Sequence, residues 1–225
     1  MERGLQIRDV SRRYGRRWAL VHVDLEVAAG EAWMLLGPNG SGKSTLIRCL
    51  STELRAHHGE VLLNGENVWI HRARLRKRIA VLGHQSRIYD DLSATENLQV
   101  WARLGGYHPG LEALLERVGL DPARRDPVRT FSAGMRRRLS LARMLLKDPD
   151  LVLLDEPFTA LDPAGRELLM GVIQTLQERG ATLLMATHLP SVARAVCSHA
   201  MMLESGKVLY KGDTANMPSE GRVEP

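Results

Sequence analysis

Cysteine is scarce in this sequence: Cys49 and Cys197 are the only two among 225 residues. Two thiols cannot build a disulfide framework, so a reducing compartment is the default reading. Long apolar runs are missing as well. Nothing approaches the roughly 18 consecutive apolar residues that cross a bilayer, and the longest candidates, residues 151–154 and 181–186, are of strand length. The opening stretch MERGLQIRDV lacks the basic-then-apolar layout of a signal peptide. The chain is therefore expected neither to span a membrane nor to be exported by that route. His57, His58, His71, His84, His108 and His199 show no metal-ligand spacing, and no internal repeat or low-complexity segment is found. Nor is there a large excess of one charge. A formal net charge of +5 favours a polyanion or anionic lipid only weakly and fits a mildly basic surface.

What remains is an ordinary globular composition, 44% hydrophobic and 25% charged, which excludes a wholly disordered chain and a disulfide-dense mini-scaffold. Residues 1–36 read as short strands, with Val23, Leu25 and Val27 alternating against polar neighbours. Ala32-Trp33-Met34-Leu35-Leu36 is continuously apolar, as a strand buried on both faces of a parallel sheet should be. A glycine-rich turn follows, and Leu46, Ile47 and Leu50 predict a helix over 43–53. Val61-Leu62-Leu63-Asn64-Gly65 reads as a strand ending in an Asn-Gly hairpin turn, and residues 79–82 as another short strand. From 86 to 147 the pattern turns helical. Ser93 and Glu96 have capping-box spacing, residues 111–118 form a second helix, and a third begins near Ser132 with Leu139, Ala142, Leu145 and Leu146 on one face. Buried strands resume at 151–154 and 183–186, Asp162-Pro163 opens the helix between them, and 201–210 is a hairpin around Ser205-Gly206. The expectation is an α/β fold in a single domain: a mainly parallel sheet core with an N-terminal antiparallel β part (1–85 and 148–215), an all-helical insertion (86–147) and a tail (216–225).

Chemistry concentrates in two places. Gly37-Pro38-Asn39-Gly40-Ser41-Gly42-Lys43-Ser44, followed by Thr45, fits G-x-x-x-x-G-K-[ST] between a buried strand and a helix, the context this phosphate-loop pattern requires. The glycines let successive N–H groups turn inward onto phosphate oxygens, helped by the positive end of the helix dipole. Lys43 would bring a point charge to the β and γ phosphates, and Ser44 a hydroxyl ligand for Mg²⁺. The second place is the end of the strand at 151–154, which delivers Asp155 and Glu156 where ligands of open α/β sheets bind. Asp155 would hold Mg²⁺ through water, and Glu156 would orient or deprotonate the attacking water.

Four further elements follow in order: Gln85 after the strand at 79–82, Phe131-Ser132-Ala133-Gly134-Met135 at a helix start, Ala160-Leu161-Asp162 past the carboxylates, and His188 after the strand at 183–186. With these, residues 3–213 resemble the nucleotide-binding domains of ATP-binding cassette (ABC) proteins, a P-loop NTPase of ABC type. The resemblance implies that Gln85 touches the Mg²⁺ and water site and links it to a partner. It implies that Ser132 and Gly134 close over the γ-phosphate of ATP held by a second copy, that Asp162 lies at the dimer seam, that His188 contacts the γ-phosphate, and that Tyr14 stacks on adenine. One chain carries one of each half-site, so a two-fold homodimer around two ATP is expected.

The signature reads FSAGM where the family usually has leucine-serine-glycine-glycine-glutamine. Ala133 adds a methyl and Met135 lacks an amide, which removes any hydrogen bond from the fifth position and leaves the clamp. Arg136-Arg137-Arg138 beside it would either support the site or complement acidic neighbours, and the run Arg72, Arg74, Arg76, Lys77, Arg78 reads as a solvated face. The resemblance further implies an ATPase subunit, peripheral on the cytoplasmic face of the inner membrane, docked on a separate transmembrane permease and contacting no nucleic acid directly. Gly83-His84-Gln85, residues 86–98 and FSAGM followed by RRRLSLAR are similar to the haem exporter subunit of cytochrome c maturation. Exporters of drugs, lipids or polysaccharides, and a soluble ATPase acting on nucleic acid, are the alternatives.

Overall fold

The computed structural model describes residues 4–83, 88–108, 110–159 and 161–218. Its first two strands are long. β1 (Gly4–Tyr14) and β2 (Arg17–Ala28) pair antiparallel over nearly their whole lengths, in place of the short strands that alternation over 1–36 suggests. The alternation breaks because the pairing shifts register between Ile7 and Val10 and again near Arg12. Asp9 and His22 adopt left-handed backbone there, with φ of 52° and 48°. Such bulges bend a strand without ending it. β3 (Ala32–Leu36) is buried at every residue. α1 (Lys43–Leu50) stops three residues short of the predicted end, where Thr52 turns left-handed at φ 61°. β4 (His58–Leu63) and the two-residue β5 (Glu66–Asn67) flank the Asn64-Gly65 turn, and the antiparallel sheet runs β2-β1-β4-β5.

The short α2 (Arg72–Leu75) precedes β6 (Ile79–Leu82). Its arginines and those of the turn after it are exposed, as a solvated face requires: Arg74 pairs with Glu66, and Arg78 meets Asp150 at 2.5 Å. Three helices then intervene, α3 (Ala94–Gly105), α4 (Leu111–Arg117) and α5 (Ala133–Leu145). β7 (Leu151–Asp155), α6 (Pro163–Glu178), β8 (Thr182–Ala186) and the short α7 (Pro190–Ala193) restore the β/α alternation. The hairpin of β9 (His199–Glu204) and β10 (Lys207–Asp213) follows. The second sheet is ordered β10-β9-β3-β8-β7-β6, parallel throughout except for β10. Parallel strands share one carboxyl edge, so the residues after β3, β6, β7 and β8 emerge side by side.

Strand periodicity separates two cores. Along β7, Leu151 and Leu153 pack with Leu46, Ile47 and Leu50 of α1 and with the apolar side of the β1–β2 sheet. Val152 and Leu154 face the opposite way, onto Leu139 and Ala142 of α5 and Leu169 and Ile173 of α6. A residue added to or lost from β7 would exchange the two sets.

The capping box on α3 forms as its spacing predicts. The Ser93 hydroxyl accepts from the Glu96 N–H at 3.3 Å, and the Glu96 carboxylate accepts from the Ser93 N–H at 2.8 Å. Ser93→Ala should remove about 1 kcal/mol, lowering the melting midpoint by about 2–4 °C without changing nucleotide turnover. The Ser93 N–H and hydroxyl hold the Glu96 carboxyl below its ordinary pKa. A carboxyl depressed in the folded state stabilises above its unfolded pKa and loses that contribution as pH falls through the folded one. Glu96→Gln should therefore lower the midpoint at neutral pH and progressively less in acid, a difference that paired melting curves would read.

Candidate active site

The phosphate-loop residues occupy the turn between β3 and α1. Gly37 and Gly42 sit at φ 136° and 114°, where a β-carbon would run into the carbonyl oxygens of Leu203 and Ala19 respectively. Only glycine combines that backbone with that proximity. Gly42 caps α1 with no side chain, so the first N–H groups of the helix, around Lys43, Ser44 and Thr45, keep free donors. Pro38, Asn39 and Gly40 complete the turn, and the buried Ser41 hydroxyl has no hydrogen-bond partner among the described residues. Lys43, only 7% exposed, donates to the Gly37 and Pro38 carbonyls at 2.6 and 3.1 Å. Burial pulls its ammonium below lysine's usual pKa, and the Glu156 and Asp155 carboxylates push the other way. A glycine cradle, uncapped helix amides, an orphaned hydroxyl and a buried ammonium fit a triphosphate; the neighbouring carboxylates suit a hard divalent cation.

Asp155 ends β7, and Glu156 follows it in left-handed backbone at φ 49°. That conformation is costly for a residue with a β-carbon and recurs at functional sites. The Glu156 N–H donates to the Ala186 carbonyl at the end of β8, 2.9 Å away. One carboxylate oxygen accepts from the His188 N–H at 3.2 Å; the other stands 3.5 Å from His188 Nε2 and has no hydrogen-bond partner among the described residues. Glu156 and His188, 32 residues apart in sequence, thus meet at the carboxyl edge beside the loop. Gln85 lies outside the described residues.

Ser132, Gly134 and Asp162 gather elsewhere, in one shallow cleft that Gly119, Met135 and Arg138 also line. Ser132 caps α5 by accepting from the Met135 N–H at 3.2 Å, and Asp162 caps α6 by accepting from Gly165 at 2.8 Å. Among the described residues no hydrogen bond joins Ser132 or Gly134 to the phosphate loop. Tyr14 is 44% exposed on β1, with the Arg12 guanidinium 5.5 Å above its ring and Arg48 of α1 3.5 Å from its hydroxyl. The arginine triplet after the signature divides between its two readings. Arg136 pairs with Asp90 at 2.5 Å, whereas Arg137 turns to the carboxyl edge of the parallel sheet, donating to the carbonyls of Gly83 and Glu156.

A phosphate loop on a central parallel strand, with a histidine following the adjacent strand β8 and an acidic pair at the end of β7 next to that, defines a P-loop ATPase. Residues 20–159 match the ABC transporter family, and the chain belongs to it. The chain is 36% identical over 213 residues to the Nod factor export ATP-binding protein I of Cupriavidus metallidurans, covering 92% of this chain and 70% of that protein. It is 37% identical over 216 residues to a daunorubicin resistance ATP-binding protein of Streptomyces coeruleorubidus, covering 93% and 68%. The fold superposes with a TM-score of 0.82, at 25% identity and over 93% and 98% of the two chains, on a dimeric ATP-binding cassette in a post-hydrolysis state bound to ADP and Pi.

Proposed function

We propose that this ABC ATPase is the ATP-hydrolysing subunit of an exporter, working as a homodimer on a separate membrane-spanning partner at the cytoplasmic face of the membrane. The observation that carries the reading is the meeting of Lys43, Asp155, Glu156 and His188 at one sheet edge while Ser132 and Gly134 lie in a separate cleft. In this scheme the loop amides from Gly37 to Thr45 and the Lys43 ammonium neutralise the phosphates, Tyr14 takes the adenine, and Glu156 accepts the proton of the attacking water while His188 steadies the γ-phosphate. Ser44, Asp155 and Gln85 would hold Mg²⁺, which when bound adds charge neutralisation. Ser132, Gly134 and Asp162 serve the ATP of the second copy.

Export is supported by the relatives, whose names attach to drug resistance and Nod factor export. Those names favour a drug or Nod-factor type of cargo over haem, for which the short similar stretches around Gly83 and after Ser132 are the support. No helix of the described residues is long and apolar enough to cross a membrane, consistent with a spanning partner. Affinity purification of the tagged chain from detergent-solubilised membranes of its own source, with unbiased identification of what accompanies it, tests the reading. A multi-span protein should co-purify and raise ATP turnover. Recovery without any such protein, together with salt-sensitive RNA or DNA binding, would move the chain to the soluble nucleic-acid ATPases.

A further inference from the structure

Successive helix positions point about 100° apart, so three neighbouring arginines cannot share one partner. Arg136 goes to Asp90 and Arg138 to the Val118 carbonyl at 3.4 Å. Arg137 spans two strand ends. It donates to the carbonyl of Gly83, just past β6, at 2.8 Å and to that of Glu156, just past β7, at 3.0 Å. Among the described residues no carboxylate is hydrogen-bonded to it, and its buried Nε has no acceptor. Burial holds the guanidinium below its ordinary pKa, with only the nearby Asp155 charge opposing. Its burial is compensated by the two strand-end carbonyls it bonds, so its role lies in what those carbonyls do.

The Glu156 carbonyl supplies one. Left-handed backbone at φ 49° must be held from outside. The N–H is held by Ala186, and the carbonyl by Arg137 together with the Thr159 N–H at 3.3 Å. With both peptide planes fixed, the Cα–Cβ direction is fixed, and the His188 N–H holds the carboxylate at the far end of the side chain. Arg137 sits five residues beyond Ser132 on the same helix, about 7.5 Å along its axis. We propose that Arg137 is a positioning residue for ATP hydrolysis: it holds Glu156 in the left-handed turn that aims its carboxylate, and ties that turn to the helix capped by Ser132. The inference rests on the reading of Glu156 as the base. It makes closure of the second copy on Ser132 mechanically continuous with alignment of Glu156.

The test is steady-state ATPase and fluorescent-nucleotide binding on the 225-residue chain carrying Arg137→Met, Arg137→Lys and Glu156→Gln, singly and combined, with thermal melts to confirm folding. Arg137→Met should lower kcat by about 10–100-fold while KM and nucleotide affinity stay within about twofold. Arg137→Lys should recover part of the loss, since an ammonium reaches one carbonyl but not both. In the Glu156→Gln background either change should cost no more than about twofold further, because the residue acts through the one already removed. If Arg137→Met does not fold, Arg137→Lys read in both backgrounds decides. Variants at about wild-type rate, equal losses in both backgrounds, or affinity falling in step with kcat each overturn the proposal. Glu156→Gln at full rate rejects the Glu156 reading itself; Glu156→Gln slow beside undiminished Arg137 variants rejects only this inference.

Discussion

Glu156→Gln should leave ATP bound and slow its hydrolysis by about 100- to 10,000-fold, the usual contribution of a positioned general base. Glutamine keeps the volume of glutamate and an oxygen able to accept the His188 N–H at 3.2 Å, so the turn after β7 survives. What it loses is the capacity to take a proton. Binding should not weaken, because the carboxylate faces the same loop that receives the phosphates and its removal takes away like charge. The Lys43 ammonium loses one of the two carboxylates that oppose its desolvation, and a bound triphosphate more than replaces it. The variant should therefore accumulate as an ATP-loaded dimer, visible as a shift to twice the mass by size-exclusion with light scattering when ATP is present and absent without it. A monomeric variant hydrolysing at the wild-type rate would remove Glu156 from the chemistry.

The parts of this site that could be read in sequence are those where one residue type answers one local requirement. Gly37 and Gly42 are forced by backbone contacts with Leu203 and Ala19, and a G-x-x-x-x-G-K-S pattern announces them. β3, β7 and β8 are buried on both faces, so their apolar runs mark them, and the Ser93–Glu96 box marks the start of α3. Where the requirement is tertiary, the sequence is silent. The register shifts that let β1 and β2 run on depend on Asp9 and His22 turning left-handed, and neither is glycine. Nothing in RRR says which guanidinium points at Glu156; that is decided by helix phase and by where β6 and β7 end. The four-residue α2 and α7 are too short for periodicity to speak. His188 could be named only through family resemblance, because its partner lies 32 residues upstream on another strand.

The division of the site into two groups has a consequence that arithmetic can check. Lys43→Met disables the phosphate loop, and Ser132→Arg obstructs the cap of α5; each alone, as a homodimer, should lose turnover by about 100-fold or more. If both groups served one ATP within one chain, mixing the two variants would restore nothing. If each ATP lies between the loop of one copy and the Ser132 helix of the other, a mixed pair has one site with both defects and one with neither. Random pairing of equal amounts makes half the dimers mixed, so about a quarter of the wild-type sites return. The observable is ATP turnover across mixtures of the two variants at fixed total concentration: it should rise from a negligible baseline, peak at equal amounts and fall symmetrically. A flat titration would place the whole reaction inside single chains and leave the cleft of Ser132, Gly134 and Asp162 without a part in it. The shape matters more than the height. Cooperation between the two sites would lower the peak, yet only a shared site produces a maximum at equal stoichiometry.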